Sequence, residues 1–333
     1  MALDLLSASD PVELTGYVRA AQAQLEQNKF LLSSLLPTQS IDDIEYRFYA
    51  GGAGLVDAAT FRAFDAETPI GARRGAMRVS GELPPISRKI RMGEYDRLRL
   101  RKVSDEVLRQ SVLNDAETMT EAVVARLELA RSEALFTGQL VLAENGIAAT
   151  VDYGRTSSHN ATAATVWSTS ASATPITDLI AARDLIRDAG GDATAIIMNS
   201  QTYGELVATA QVKNLATGVV TPSIVSDASV SAILTAHGLP PITVYSARVQ
   251  VAGTATKVLG DSKVILADNS QLGAVLSGMT AEQQEYAGDV ESLEPGIFAL
   301  AWKHPDPVAV WTKAGAIALP VLANPDLSVG LTV

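Results

Sequence analysis

The sequence predicts an α+β protein in which an extended basic segment and one long helix precede an alternating module of helices and strands. Polar and apolar residues alternate locally within residues 55–102, which indicates extended strands. From Ser104, apolar or small residues recur at every third or fourth position up to Ala134, which indicates one amphipathic helix. Beyond residue 175, helical and strand patterns alternate, and the C-terminal part consists mainly of strands.

The N-terminal region is predicted to begin with a helix. Asp10, Pro11 and Glu13 combine an N-cap side chain, a proline at the first helical position and an acid in the first turn, so a helix should run to about Lys29. The mixed pattern "DDIEYRFY" at 42–49 then predicts a short strand.

The region from 55 to 102 is predicted to form a two-stranded excursion. Pro84 and Pro85 lie between its arms, as expected at a hairpin tip or a sheet edge. Its end, "RLRLR" at 97–101, alternates as a strand does, with leucines on one face and arginines on the other.

The long helix is predicted to cross a domain as its backbone. Ser104 is the expected N-cap and Gly138 the expected stop, and the pattern lacks the sustained heptads of a coiled coil. Further along the chain, residues 156–174 are rich in Ser, Thr and Ala, which predicts a loop pinned by Trp167.

The second half of the chain is predicted to be an α/β module followed by strands. The module contains a helix from Thr174-Pro175 to about Ala189, the strand "ATAIIMN", the helix "SQTYGELVATA" capped by Asn199 or Ser200, the helix "SDASVSAILTAHG" and the strand "ITVYSA". The later predicted strands are "TKVLG", "KVILAD", "GAVLS", "IFALAW" and "VAVWTKAGAIALPVL".

Charge is distributed unevenly along the chain. Residues 71–102 carry ten Arg and Lys against three acids, a net charge of +7 in a chain of net charge -11, so the remainder carries -18. This division predicts a binding surface whose partner is a nucleic acid, an anionic ligand or another copy of the chain. A nucleic-acid surface should carry aromatic residues among its cations, and within this segment only Tyr95 is present.

Another copy of the chain fits the charge division better. Residues 281–295 hold five acids and no base, so they are a candidate surface for a neighbour's basic segment; the alternative is two independent solvated faces. The residues expected at this contact between subunits are Arg73, Arg74, Arg78, Arg88, Lys89, Arg91, Arg97, Arg99 and Arg101 on the basic side, and Glu282, Glu285, Asp289, Glu291 and Glu294 on the acidic side.

The composition limits the number of domains and the classes of protein to which the chain can belong. A chain of 333 residues with 47% hydrophobic residues predicts a folded protein of two domains, or one domain with large excursions. The absence of Cys excludes disulfides and thiolate metal sites. The acidic N-terminus and the lack of a long apolar run argue against secretion and membrane insertion.

The sequence offers no catalytic motif. The glycines at 51–54 lack the spacing of a phosphate-binding loop and predict a turn, and no G-x-S-x-G elbow occurs. His159, His237 and His304 share no metal-ligand spacing, and His237 precedes a helix-stopping glycine. We therefore expect no enzyme, no catalytic residues, no metal and no cofactor. An α/β enzyme whose ligand site in 175–290 is not indicated by any motif remains an alternative, after self-association and nucleic-acid binding.

In the order of its elements the chain resembles the major capsid proteins of tailed bacteriophages, which have the Hong Kong 97-type fold, and among them the lambda-like branch. The resemblance extends over nearly the whole chain and is carried by "FLLSSLLPTQSIDDIEYRF" (30–48), "AFDAETPIGARRGA" (63–76), "EALFTGQLVL" (133–142), "ATAIIMNSQTYGEL" (193–206) and "DPVAVWTKAGAIALPVLANPD" (306–326).

The resemblance implies a particular domain organisation. It comprises an N-terminal arm (1–45), an extended β-hairpin loop (46–102), a peripheral domain (103–174 and 291–333) with a spine helix at 104–137, and an α/β axial domain (175–290). The extended loop would lie across a neighbouring subunit.

The resemblance also implies a function. The chain would assemble with copies of itself, as hexamers and pentamers, into the icosahedral head shell of the virion, enclosing double-stranded DNA without sequence-specific binding. Portal and scaffold proteins are expected partners, with decoration proteins as further ones, and assembly is expected in the bacterial host cytoplasm. The alternatives are a nucleic-acid-binding protein that uses the basic hairpin 71–102, and another phage structural component.

Overall fold

A computed structural model describes residues 4–5, 10–50, 77–100, 105–144, 146–217, 225–286 and 293–333. The helices are α1 (Pro11–Asn28), α2 (Glu94–Leu100), α3 (Asp105–Thr137), α4 (Pro175–Asp188), α5 (Ser200–Ala208), α6 (Ala210–Thr217), α7 (Asp227–Ala236) and α8 (Ala281–Tyr286), with short 3-10 helices at Leu31–Ser34, Ser157–His159 and Pro325–Leu327.

The strands are β1 (Asp4–Leu5), β2 (Thr38–Ser40), β3 (Glu45–Ala50), β4 (Met77–Glu82), β5 (Pro85–Met92), β6 (Gln139–Glu144), β7 (Ile147–Asp152), β8 (Asn160–Thr162), β9 (Ala195–Met198), β10 (Ile242–Val244), β11 (Arg248–Val251), β12 (Thr254–Lys257), β13 (Lys263–Ala267), β14 (Gly273–Gly278), β15 (Phe298–Pro305), β16 (Val308–Leu322) and β17 (Ser328–Thr332).

The chain divides into two compact units. Unit one consists of Met1–Tyr46, Ser80–Arg131 and Ala274–Val321, and unit two of Arg47–Val79, Ser132–Gly273 and Leu322–Val333. The division falls within α3, which contributes residues to both units.

Unit one is built on a six-stranded sheet in the order β1-β15-β16-β14-β2, with β5 paired to β16. The β15–β16 hairpin forms a long antiparallel ladder, with Phe298 opposite Gly315 and Pro305 opposite Val308. Most of β16 is buried, because it lies inside the sheet with strands paired to it on both edges.

The predicted N-terminal helix is confirmed as α1, and it is bound to the body of its own chain. Asp10 is the N-cap, and its side chain accepts a hydrogen bond from the amide of Val12. The Thr15 hydroxyl and the backbone of Ala299 in β15 exchange hydrogen bonds at 3.3 and 3.2 Å. Leu14 and Val18 are buried, and burial stabilises by about 1.5–3 kcal/mol for each such side chain.

A buried charge network fixes α3 to the chain segment that follows α1. The side chains of Glu128 and Arg131 are fully buried and bond to each other at 3.2 Å. Arg131 also donates to Glu26 at 3.1 Å and to the Thr38 hydroxyl at 3.0 Å, and Glu128 accepts from the backbone amide of Leu32 at 2.9 Å. The polar atoms of this network therefore find most of their partners within unit one.

Unit two is built on a five-stranded sheet in the order β10-β9-β13-β17-β8. The two outer pairs, β9–β10 and β8–β17, are parallel, and the inner pairs are antiparallel. β13 and β17 are almost entirely buried, as central strands should be. Two-stranded ribbons, β6–β7 and β11–β12, also belong to this unit.

Buried Arg155 caps the C-terminal end of α3 in unit two. Its guanidinium donates to the carbonyls of Leu135, at 2.7 Å, and Phe136, and to the side chain of Asn160. These carbonyls are among those that lack partners at a helix end, and the cation also favours the negative end of the helix dipole. Burial lowers the pKa of Arg155 to about 10, although Asp326 opposes this shift, so the side chain stays protonated at neutral pH.

Most predicted elements are confirmed. The spine helix is present as α3, and Gly138 follows it with the positive φ of 71° that suits a helix stop. Asn199 caps α5, and His237 and Gly238 end α7. Trp167 pins the predicted loop: it is fully buried and donates to Asp178 at 2.9 Å. The predicted N-cap Ser104 lies outside the described residues.

Two predictions for residues 55–102 are wrong, and several short elements were missed, including the strands β6, β8, β11 and β17. Pro84 and Pro85 do not separate two paired arms: β4 pairs with β3, whereas Pro85 begins β5, which pairs with β16 at the edge of its sheet. The "RLRLR" stretch does not continue as a strand: Glu94–Leu100 is the helix α2, with two acids in its first turn and Arg97 and Arg99 in its last. This placement of charge favours a helix, because it complements the helix dipole. The short helices α6 and α8 were not predicted.

Strand pairing crosses the predicted boundary between the peripheral and axial domains. β17 lies in the predicted peripheral domain but pairs with β13 of the predicted axial domain, and β14, predicted as axial, pairs with β2. The assignment of peripheral and axial domains to residue ranges stays a prediction.

Candidate contact surface for another molecule

The basic strand β5 belongs to the sheet of its own chain. It pairs antiparallel with β16 over its whole length, from Pro85 opposite Ile317 to Met92 opposite Val310. Ile86, Ile90 and Met92 are at least half-buried, whereas Arg88, Lys89 and Arg91 are exposed. The strand is therefore anchored by its apolar residues and presents its cations at the surface.

The sheet register places two tryptophans beside these cations. Arg91 lies opposite Trp311, and Trp311 lies opposite Trp302 on the next strand. The two indole rings stack with their centroids 6.4 Å apart and their planes inclined by 16°. The expectation that aromatic residues are lacking around the basic segment, apart from Tyr95, was therefore wrong for the folded chain.

This arrangement has a signal in the sequence that was missed. Trp302 and Trp311 are equally distant from the turn at Asp306-Pro307, so a hairpin folded at that turn must place them side by side. The basic strand then becomes their neighbour through tertiary pairing, which local patterns do not reveal.

A cavity of about 460 Å³ lies on this face of the sheet. Leu300 and Trp302 supply apolar walls, and Lys89 and Lys313 supply cations. Arg88 also borders the cavity, but strand alternation directs its side chain to the opposite face of β5. The Nζ atom of Lys89 lies 4.6 Å from the centroid of the Trp311 ring, a cation–π contact. We call this feature the cationic cavity.

One carboxylate enters the cationic cavity from α8. Glu282 forms an ion pair with Lys313, which lies directly opposite Lys89 in the β5–β16 ladder. Burial raises the pKa of Glu282, but the hydrogen bond from Lys313, a backbone hydrogen bond and the charge of Lys313 together outweigh it, so the pKa of this carboxyl is lowered. Among the described residues, neither Arg88 nor Lys89 forms an ion pair.

The cations of α2 lie next to a second cavity. This cavity, of about 500 Å³, is lined by Arg91, Asp96, Arg99 and Asp115, among others. Burial raises the pKa of Asp115. Arg99 lies over the ring of Tyr95, 5.7 Å from its centroid, and Arg97 is half-buried.

The acidic stretch 281–295 is only partly free to bind a neighbour. Glu282 is engaged by Lys313, and Glu294 lies beside Arg19, whose guanidinium donates to the Glu294 carbonyl at 2.6 Å. Glu285 is exposed on α8. Burial lowers the pKa of Arg19, and the charge of Glu294 partly offsets this shift.

Several predicted contact residues cannot be placed. Arg73, Arg74, Arg101, Asp289 and Glu291 lie outside the described residues, and so do the glycines at 51–54; of Arg78 only the backbone, in β4, is described. The role of all predicted contact residues between subunits stays a prediction.

The histidines lie apart from the cationic cavity. The Nδ1 atom of His159 is 3.2 Å from the Ser328 carbonyl, His237 caps α7, and His304 is exposed at the end of β15. Across the described part of the chain, no three His, Asp or Glu side chains are grouped closely enough to hold a metal ion. No helix in that part is long and apolar enough to cross a bilayer.

Solved structures share the fold at low sequence identity. One protein, described as the capsid protein of a prophage of E. coli CFT073, superposes with a TM-score of 0.67 at 15% identity, covering 98% of this chain and 99% of its own. A phage-related protein from Bordetella bronchiseptica RB50 superposes with a TM-score of 0.62 at 11% identity, covering 100% and 98% of the two chains. The predicted fold, the Hong Kong 97-type capsid fold, is thereby confirmed.

The family is shown by sequence. Residues 10–333 match the family model of phage major capsid protein E, so the chain belongs to that family. No curated protein sequence matches the chain. The predicted function is confirmed: this is a major capsid protein, a component of the virion, and it forms the head shell of the phage.

Proposed function

We propose that copies of this capsid protein assemble as hexamers and pentamers, and that the cations of β5 and α2 hold neighbouring copies together. The observation that carries the proposal is a row of cations, Arg88, Lys89, Arg91, Arg97 and Arg99, that form no ion pair within the described residues of a chain of net charge -11. Such cations find acids most readily on another copy of the same acidic chain.

The contact is expected to be heterologous. The cations lie on the sheet of unit one, and the acids that would bind them lie elsewhere on the neighbour, so the two contact surfaces differ. A heterologous contact repeated around an axis closes into a ring, as hexamers and pentamers require.

The same charge division supports one further part of the proposal. The acidic remainder of the chain repels DNA, which supports enclosing double-stranded DNA without sequence-specific binding. The protein has a structural and non-enzymatic role, and it assembles in the bacterial host cytoplasm. Portal and scaffold proteins are its partners, with decoration proteins as further ones.

Purified protein tests the proposal by light scattering and negative-stain electron microscopy. At low salt we expect rings or shells in the megadalton range, and we expect added salt to weaken them because it screens contacts between exposed charges. A stable 35.0 kDa monomer at all salt concentrations would contradict the proposed assembly.

A second candidate function is binding of single-stranded nucleic acid by the same face. The observation that favours it is the pair Trp302 and Trp311 beside Lys89 and Arg91, since such proteins combine aromatic platforms with cations. A titration with a fluorescent oligonucleotide at several salt concentrations tests it, because phosphate contacts make the affinity fall steeply with salt.

A further inference from the structure

The cationic cavity offers a specific combination of chemical groups. Its cations Lys89 and Lys313 exceed its single carboxylate, Glu282, and its walls include Leu300 and Trp302. Lys89 and Lys313 are directly opposed across the ladder, and like charges in that position destabilise a sheet. Glu282 neutralises only Lys313, so the cavity retains a surplus of positive charge beside apolar walls.

This combination suits a peptide better than a nucleic acid. Bases stack on open aromatic faces, but Lys89 lies over the ring of Trp311, and Trp302 stacks against that ring. A volume of about 460 Å³ holds a few side chains of an extended segment. The matching segment should carry carboxylates for the cations and an apolar side chain for the walls.

One described segment of the chain has these properties. Residues 41–45, "IDDIE", hold three acids around Ile44, which is 54% exposed. Asp42 and Asp43 are exposed and form no ion pair with any described residue. The backbone of this segment is held in place, because the Ile41 amide donates to the Ser277 carbonyl and the Ile44 carbonyl accepts from the Leu83 amide, both at 2.9 Å.

We propose that the cationic cavity of one copy binds the acidic segment 41–45 of a neighbouring copy. Asp42 and Asp43 supply carboxylates for Lys89, and Ile44 supplies the apolar contact. The segment is already ordered in its own chain, so binding costs less conformational entropy than ordering a free tail would. This inference rests on the proposed self-assembly and adds to it a defined receptor and a defined ligand.

Charge exchange between the two surfaces tests the inference. Lys89→Glu alone, and Asp42→Lys with Asp43→Lys, should each lower the yield of particles by about tenfold or more, because like charges then meet at the contact. A chain that carries all three changes should regain particles, because the charges are complementary again. Lys303→Glu, on the opposite face of β15 from Trp302, is the matched control and should assemble as the unchanged protein does.

The outcomes separate this inference from the proposed assembly. If the unchanged protein forms no particles, the proposed self-assembly fails. If the unchanged protein forms particles, Lys89→Glu loses them, and adding the changes in the acidic segment does not restore them, only the inference is overturned. If Lys89→Glu assembles normally but loses binding to a single-stranded oligonucleotide, the occupant is nucleic acid and the inference is wrong. Circular dichroism and the unfolding midpoint of each variant show whether it is folded, so that a failure to fold is not read as a failure to assemble.

Discussion

Arg131 of α3 and Lys89 of β5 are both cations of unit one, yet their surroundings are opposite. The Arg131 side chain is fully buried and bonds to the carboxylates of Glu128 and Glu26, whereas Lys89 is exposed, lies over the ring of Trp311 and forms no ion pair with a described residue. Removing one partner of a buried pair leaves an uncompensated charge inside the protein, while an exposed cation contributes little to the fold. The charges of α3 therefore maintain the monomer, and those of β5 are available to another molecule.

The largest expected effect on stability comes from breaking the buried pair. Arg131→Met should lower the free energy of unfolding by roughly 3–5 kcal/mol, because the buried carboxylate of Glu128 then loses the guanidinium charge that compensates it. Urea unfolding at neutral pH measures this effect. Lys89→Met is the comparison and should change the free energy of unfolding by less than about 0.5 kcal/mol. Equal losses of stability in the two variants would contradict the distinction between the buried Arg131 and the exposed Lys89.

The C-terminal end of α3 tests the same distinction, between tightly packed and exposed positions, in unit two. A Cβ atom added at Gly330 would overlap the carbonyl oxygen of Phe136 and lie 3.3 Å from the Arg155 guanidinium. Gly330→Ala should therefore lower the free energy of unfolding by about 1–3 kcal/mol, as overpacking does. Gly204→Ala is the matched control: it lies in α5 with no atom within 4 Å of the added Cβ, and it should stabilise by up to about 1 kcal/mol. Similar effects at both glycines would contradict the packing described for Phe136.

Reversing the exposed charges of α2 should lower the monomer's stability only slightly. Arg97→Glu with Arg99→Glu is expected to lower the free energy of unfolding by about 1 kcal/mol, because neither side chain has an ion pair among the described residues and only the favourable interaction with the dipole of α2 is reversed. Light scattering should nevertheless show a loss of particles. Normal assembly of this variant would exclude α2 from the contact.

The smallest effect concerns pH and the exposed ion pair of the cationic cavity. Because the pKa of Glu282 is lowered below its ordinary 4.5, its contribution to stability is present above that pH and is lost as the pH falls through the lowered value. Both side chains of the pair are partly exposed, so Glu282→Gln should cost less than about 1 kcal/mol at pH 6, and the cost should decrease as the pH falls through the lowered pKa. Glu285→Gln on the same helix should show no cost over this pH range; identical pH profiles for the two variants would contradict the role of Lys313.

Long elements with their own start and stop signals were predictable from sequence. α1 has an N-cap, α3 has regular periodicity and ends before Gly138, and the module from α4 to β10 follows from local patterns. The error at "RLRLR" has a physical cause: five alternating residues are too few to separate a strand from a helix, and the acids Glu94 and Asp96 ahead of them were the better signal.

The candidate site was only half predictable. The basic residues are evident in the sequence, but their neighbours depend on pairing between segments that are far apart in the chain. β5 meets β16 more than 200 residues later, and only that register brings Trp302, Trp311 and Lys313 beside Lys89. The ion pair of Glu282 with Lys313 likewise removes one predicted acid from those available to a neighbour.

Chemical cross-linking between copies tests most directly whether the cations of β5 face another subunit. The chain has no Cys, so Ser87→Cys at the cationic cavity and Ile44→Cys in the acidic segment each introduce a unique thiol without changing a charge. Mixed in equal amounts and treated with a short bismaleimide, the two variants should give a product of twice the 35.0 kDa chain mass, whereas Lys303→Cys mixed with Ile44→Cys should not. Particles that form from the first mixture but yield no such product would contradict the account.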